Sequence, residues 1–133
     1  MQERSVMLAK LLKHTSDIST THLPLGGSII AYKLLLNLYL SRLSGEAPTV
    51  KALFASIPYS DMGIRYHLRK LLDEGWIQLK PSPIDKRTKI CVPTDKFDQA
   101  WALVNKQIGE ELGDDLGSNL IETFVCRSCG HRD

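Results

Sequence analysis

The sequence is poor in the features that mark secreted, membrane-spanning and disulfide-linked proteins. Its three cysteines are an odd number, which argues against a disulfide framework. The longest apolar stretch, residues 29–40, contains Lys33 and Asn37 and is too short and too polar to span a bilayer. The chain does not open with a basic and then apolar segment, so we expect no signal peptide. These absences predict a cytoplasmic protein that has no membrane partner.

Motifs that carry catalysis are also missing. The sequence has no HExxH pair, no glycine-rich phosphate loop, no nucleophile elbow and no paired carboxylates on a basic scaffold. We therefore expect that the protein is not an enzyme and needs no catalytic cofactor. The chain does have the composition of a globular domain, since 43% of its 133 residues are hydrophobic and 24% are charged. This length predicts a single domain, residues 1–133, with a sizeable core.

Charge is unevenly distributed along the chain, although the net charge is only +2. Residues 51–89 contain eight Lys or Arg against four acids, whereas residues 95–122 contain two against seven. A basic middle followed by an acidic segment suits one surface that faces nucleic acid and another that faces protein or solvent. The alternative is chance clustering.

The stretch 60–75 predicts an amphipathic helix with one cationic face. Ser60 is a good N-cap, and Gly75 stands where helices commonly end. The apolar residues of one stripe are Ile64, Leu68, Leu71 and Leu72. The opposite face carries Met62, Gly63, Tyr66, Arg69 and Lys70, with Arg65 at its border. His67 lies beside the apolar stripe, where we expect it to border the core.

The segments around this helix predict a winged helix-turn-helix, which is a mainly α fold with a small β-hairpin. A shorter helix, residues 50–56 with Thr49 as its cap, precedes the central helix by a tight connection. Alternating residues then predict strands at 76–80 and 88–92. The basic residues at the tip of this hairpin, or wing, are Lys80, Lys86, Arg87 and Lys89.

The outer parts of the chain predict further helices. We expect a helix over 2–14, a loop over 15–27, a strong helix over 28–42 capped by Ser28, and a long last helix capped by Thr94. The apolar residues expected in the core of the 28–42 helix include Ile29, Ile30, Leu34, Leu35, Leu38 and Leu40. This divides the domain into an N-terminal part (1–27), a winged helix-turn-helix core (28–94), dimerisation helices (95–125) and a cysteine-containing tail (126–133).

The hairpin and its flanks carry residues at a specific spacing. They are Gly75-Trp76-Ile77, Ser82, Asp85-Lys86-Arg87 and Thr94, which stands nine residues after Asp85. Over roughly residues 28–100, this pattern resembles the MarR-type winged-helix regulators. The resemblance implies that Arg87 reaches the DNA minor groove and that Asp85 holds it in place. A guanidinium is favoured in a narrow, electronegative groove. The alternative is a surface ion pair at a hairpin tip.

The predicted function is therefore sequence-specific binding of double-stranded DNA, by a transcriptional repressor that acts as a homodimer. The candidate DNA-binding residues are Arg65, Tyr66, Arg69, Lys70, Lys80, Asp85, Lys86, Arg87 and Lys89. We expect the dimer to use apolar faces of the first and last helices, with members Leu8, Leu11, Leu12, Phe97, Trp101, Val104 and Ile108. The alternatives are a winged helix that binds another protein and a small zinc-tailed adaptor. For the lysines, a purely solvated role stays open.

The C-terminal tail contains a partial zinc-ligand pattern. Cys126, Cys129 and His131 have the spacing of zinc ligands, but a closed structural site needs four. The tail of a partner chain or Cys91 could complete the set. The alternative is that these residues are free thiols in a chain terminus.

Overall fold

The computed structural model describes residues 2–112, which form five helices and one hairpin. In chain order the elements are α1 (Gln2–His22), α2 (Ile29–Ser44), α3 (Val50–Ala55), α4 (Asp61–Asp73), β1 (Ile77–Pro81), β2 (Lys89–Pro93) and α5 (Asp95–Leu112). The mainly α fold with a small β-hairpin is thus confirmed. The chain divides into two compact units, Leu23–Trp101 and the pair of segments Met1–His22 and Ala102–Asp133. The single domain over 1–133 stays a prediction.

The core of the Leu23–Trp101 unit forms around α2. Leu34, Leu35 and Leu38 are fully buried on one side of this helix, and α4 packs against it. Ile64, Leu68 and Leu71 supply the buried stripe of α4, as their spacing predicts. Burial of this many aliphatic side chains is the dominant favourable contribution to folding.

Three polar residues cap the helices in the way that the sequence predicts. The hydroxyl of Ser28 accepts hydrogen bonds from the amides of Ile30 and Ala31, and that of Thr49 accepts one from Ala52. The hydroxyl of Ser60 accepts one from the amide of Gly63. Each cap satisfies amides that have no partner inside the helix.

The hairpin is attached to the rest of this unit along β2 and at its base. β1 and β2 pair antiparallel from Ile77 opposite Pro93 to Pro81 opposite Lys89. The amide of Cys91 donates to the carbonyl of Pro48, which adds a short bridge beside β2. Thr94 directly precedes α5, and its hydroxyl donates to the carbonyls of Gly75 (2.7 Å) and Trp76 (3.0 Å). These two hydrogen bonds join the start of α5 to the segment between α4 and β1, so the hydroxyl does not donate within α5.

The predicted loop over 15–27 is wrong for its first part, because α1 continues to His22. The hydroxyls of Thr15, Thr20 and Thr21 donate to the carbonyls of Leu12, Ser16 and Asp17, three or four residues earlier. Hydroxyls that bond inside the helix in this way make a Ser/Thr-rich stretch compatible with it. Ile18 and Ser19 are buried, which further favours the ordered helix.

Two residues expected in the core of α2 are instead exposed. Ile29 and Leu40 lie mostly in solvent, while the small residue Ala31 is buried in their place. The strongly apolar sequence of this helix hides its periodicity, because apolar residues occur on both of its sides.

Candidate nucleic-acid interface

One face of α4 is held against the core and the other is open to solvent. The side chains on the open face are Met62, Arg65, Tyr66, Arg69 and Lys70, all of which are exposed. The N-cap at Ser60 and the buried stripe fix the position of the helix axis. The open face is therefore presented on a rigid element, as a helix that enters a DNA groove must be.

Arg65 connects this face to the preceding helix. Its guanidinium carbon lies 5.6 Å from the ring centre of Phe54 in α3, within the range of a cation–π contact. The contact limits the conformations of Arg65 while leaving the residue exposed. A guanidinium held in this way loses less conformational entropy when it binds an anion.

Gly63 lies on the inner side of α4, so its predicted place on the open face is wrong. A Cβ atom at this position would lie 2.9 Å from the Cδ1 atom of Ile30 and 3.3 Å from the Oγ atom of Ser60. Glycine thus permits a close approach between the first turn of α4 and α2. The sequence pattern could not reveal this, because glycine carries no hydrophobicity signal.

His67 forms a polar link between α4 and α2. Its Nε2 atom lies 3.0 Å from the Oγ atom of Ser28. Burial, followed by the nearby charge of Lys70, lowers the pKa of His67 below its usual 6.5. The imidazole is therefore neutral at physiological pH and acts as a structural residue at the edge of the core, as expected.

Lys70 and Tyr66 also border a small cleft beside α4. The cleft has a volume of ≈ 210 Å³ and lies between this helix and the loop 24–26. A Cβ atom at Gly26 would lie 3.9 Å from the Nζ atom of Lys70, so the ammonium group is close to that loop. Lys70 consequently stands at the side of the open face.

The tip of the wing is organised by two side chains that bond to its backbone. The buried Ser82 hydroxyl accepts from the amides of Ile84 (3.2 Å) and Asp85 (3.5 Å). The Asp85 carboxylate accepts from the amide of Arg87 (3.0 Å) and from the hydroxyl of Thr88 (3.4 Å). The Nε atom of Arg87 lies 3.6 Å from Asp85 Oδ1, and 94% of the arginine side chain is exposed. The Asp85 carboxylate therefore bonds to the backbone of the tip and lies beside an arginine whose side chain projects into solvent.

Most candidate cations on this surface have no acidic partner among the described residues. Within residues 2–112, the ion pairs are Lys13–Asp17, Arg42–Asp98 and Arg87–Asp85. The candidates that form no ion pair with a described carboxylate are Arg65, Arg69, Lys70, Lys80, Lys86 and Lys89. All six are exposed, so their positive charge is not neutralised locally.

The zinc prediction falls mainly outside the described residues, because Cys126, Cys129 and His131 lie beyond residue 112. Cys91 is fully buried in β2, and burial raises the pKa of its thiol to about 11. A protonated, buried thiol is a poor metal ligand, since zinc binds the thiolate. Among residues 2–112, no three His, Cys, Asp or Glu side chains are grouped closely enough to hold a metal ion. No helix in this part is long and apolar enough to cross a membrane.

Comparison with known proteins gives matches only at the level of structure. No protein-family model and no curated protein matches the sequence. The transcriptional regulator Tm0710 from Thermotoga maritima matches with a TM-score of 0.65 at 15% identity, over 99% of this chain and 96% of its own. Overoxidized AbfR bound to DNA matches over 100% of both chains, with a TM-score of 0.52 at 20% identity. Reduced MarR from E. coli matches over 90% of this chain and 82% of its own, with a TM-score of 0.50 at 20% identity.

The chain has the fold of the MarR-type regulators. The winged helix-turn-helix predicted from the sequence is thereby confirmed, with α3 and α4 as its two helices and the β1–β2 hairpin as its wing. The neighbours of this fold include transcriptional regulators and a protein solved on DNA.

The sequence did not predict two contacts of Lys96 at the junction between α4 and the wing of this MarR-type fold. Lys96 places its Nζ atom 2.8 Å from the carbonyl of Glu74 and 4.5 Å from the ring centre of Trp76. This ammonium group stabilises the C-terminal end of α4, where the helix dipole is negative. The exposure of Ile84 at the wing tip was also missed, because an isolated apolar residue in a loop gives no periodic signal.

Proposed function

We propose that the chain is a cytoplasmic transcriptional repressor that binds specific double-stranded DNA sequences as a homodimer. The observation that carries this proposal is the pairing of two exposed cationic elements on one fold, the open face of α4 and the tip of the wing. Each presents an arginine beside a side chain of the protein, Arg65 over the ring of Phe54 and Arg87 next to the carboxylate of Asp85. The fold it shares with AbfR bound to DNA supports the same function.

The proposed division of roles follows from the chemistry of each group. Arg69 and Tyr66 on the open face of α4 read base edges in the major groove, where arginine pairs with guanine through two hydrogen bonds. Arg87 enters the minor groove and Asp85 fixes its direction. Arg65, Lys70, Lys80, Lys86 and Lys89 contact phosphates, which set affinity without reading sequence. This activity needs no cofactor, because protein side chains alone read the duplex.

The proposed homodimer uses exposed apolar residues of the unit that contains α1. Val6, Leu8 and Leu12 of α1 and Leu103 of α5 are each at least half exposed. Phe97, Trp101 and Val104, which were expected to contribute to this interface, are buried within the chain itself. Exposed apolar side chains grouped on one helix favour association with a second copy. Sedimentation of a Leu8→Ser, Leu12→Ser double variant tests this, since we expect it to dissociate at concentrations where the parent is dimeric.

Selection from random duplexes with the purified protein tests the proposed function. We expect enrichment of an inverted repeat whose half-sites are centred about 10 bp apart, which places two recognition helices about 34–36 Å apart in successive major grooves. Enrichment of no sequence would contradict a regulator that reads DNA. Enrichment of a single, unrepeated site would contradict the homodimer while leaving sequence-specific binding intact.

A further inference from the structure

We propose that Ile84, at the tip of the wing, is an apolar wedge that inserts between base pairs from the minor groove beside Arg87. This inference rests on the proposed DNA-binding function. It adds to that function a local deformation of the duplex and a residue that causes it.

The first observation is where the exposed apolar side chains lie. Ile84 is 95% exposed and Met62 is 81% exposed, more than any other large hydrophobic residue in the described part of the chain. Single exposed apolar residues are common on protein surfaces and need no special explanation. Here, however, both belong to the proposed DNA surface, one at the start of α4 and one at the wing tip.

The second observation is that the backbone around Ile84 is held while its side chain is free. The amide of Ile84 donates to Ser82 Oγ at 3.2 Å, and the amide of Ser82 donates to the carbonyl of Thr88 at 2.8 Å across the base of the loop. Pro81 and Pro83 flank Ser82, and the ring of each proline restricts its own φ to a narrow range. A β-branched side chain on such a backbone has few rotamers to lose. The backbone of Ile84 is therefore held in place before any ligand arrives, and its side chain remains exposed.

The third observation is the charge around this apolar tip. Lys86 and Arg87 follow within three residues, both exposed, and Lys89 begins β2. The carboxylate at the tip, Asp85, is engaged by the Arg87 and Thr88 groups of the loop itself. An apolar tip surrounded by cations matches a polyanion that also offers an apolar interior. Double-stranded DNA has both, because its phosphates enclose stacked bases.

The chemistry of insertion is known for isoleucine. Side chains such as Ile, Leu, Met and Phe enter base steps from the minor groove, partly unstack them and kink the duplex toward the major groove. Because Ile84 lies three residues before Arg87, an arginine that enters the minor groove brings Ile84 close to the same groove. Flexible pyrimidine–purine steps cost least to open, so we expect such a step under the wing in the selected sequence.

The test uses the duplex enriched by the parent protein, with 2-aminopurine placed in the minor-groove segment that the wing protects from hydroxyl radicals. This base fluoresces more strongly when it is unstacked. We expect the parent to raise the fluorescence about twofold or more at one step. Ile84→Ser should abolish the rise and weaken binding by about tenfold, since the apolar burial is lost. Ile84→Leu should retain both properties.

Two controls separate the wedge from other effects. Leu43→Ser removes an apolar residue of α2 that is 66% exposed and lies outside the proposed interface, so it should behave like the parent. The thermal midpoint of Ile84→Ser should equal that of the parent, because an exposed side chain contributes little to folding.

Four results decide between these possibilities. An Ile84→Ser variant that still raises the fluorescence overturns the wedge, and so does a parent that binds the duplex without any fluorescence change. If Ile84→Ser affects neither affinity nor fluorescence, Ile84 does not contact DNA. Its exposed side chain is then expected to contact a protein partner. A parent that selects no duplex at all overturns the proposed function itself, which is a different failure.

Discussion

The Nε2 atom of His67 and the Oγ atom of Ser28 lie 3.0 Å apart and join the middle of α4 to the cap of α2. Ser28 already accepts from the amides of Ile30 and Ala31, so its hydroxyl proton is free to point at the imidazole. In this arrangement His67 is a neutral acceptor. A single hydroxyl thus caps α2 and links α4 to it.

This arrangement predicts that acid destabilises the protein through His67. Its folded pKa lies below the usual 6.5, so its contribution is present above that pH and is lost as the pH falls through the folded pKa. Urea unfolding at about pH 7.5 and about pH 5.5 should show a larger loss of stability for the parent than for His67→Gln. The titration of carboxylates contributes equally to the loss of stability in both proteins, so it cancels in the comparison. Equal losses in the two proteins would contradict the prediction.

The core of α2 predicts a strong contrast between two leucines of the same helix. Leu34 is fully buried, whereas Leu40 is mostly exposed. Leu34→Ala should lower the free energy of unfolding by about 2–5 kcal/mol, since it removes buried methyl groups and leaves a cavity. Leu40→Ala should change it by about 0.5 kcal/mol or less. Urea unfolding measures both, and comparable losses would show that α2 is rotated relative to this structure.

Removing the Asp85 carboxylate should have two opposing effects on affinity for DNA, so the sign of the change is informative. If the carboxylate acted only through its charge, Asp85→Ala would raise affinity for DNA, because a repulsive group is lost. We expect the opposite, a weakening of about three- to tenfold, because Arg87 then has to be ordered on binding. Asp73→Ala is the matched control, since Asp73 is exposed, ends α4 and is not among the candidate DNA-binding residues. Fluorescence anisotropy on the selected duplex distinguishes the two signs.

Replacing Arg69 or Arg87 by alanine should change DNA binding in different ways. Arg87→Ala should weaken binding to selected and scrambled duplexes alike. About eight phosphate contacts per dimer give a parent slope of log affinity against log salt of roughly −7, and Arg87→Ala should make it less steep. Arg69→Ala should relax base preference by about 1–3 kcal/mol at one position. Titrations at several salt concentrations check this, and a parent affinity nearly independent of salt would reject phosphate contact.

Cys91 should be chemically inert while the protein is folded. Its thiol is fully buried, and burial raises its pKa to about 11, so almost no thiolate forms at neutral pH. In a Cys126→Ser, Cys129→Ser variant, iodoacetamide should label no thiol in the native protein and one after denaturation. Zinc content of the parent should also be unaffected by Cys91→Ala. Rapid native labelling would show that β2 opens readily.

Local patterns were sufficient for much of the fold and for the exposed side chains of the site. The caps at Ser28, Thr49 and Ser60 depend on bonds that span two or three residues, so neighbouring sequence predicts them. The buried and open faces of α4 follow from its strong helical period. The alternation on either side of the wing tip likewise predicts two strands. Contact of these residues with DNA remains a prediction.

Other features depend on residues that are far apart in the chain. Except for the second half of α1, the sequence by itself determined which segments form helices or strands, and it determined which α4 side chains face solvent, because those properties repeat over two to four residues. Only the tertiary structure decided that His67 meets Ser28, that Gly63 faces Ile30 and that Cys91 is sealed in the core. These depend on how whole elements pack, and packing is set by the combined shape of many side chains, which no local pattern encodes.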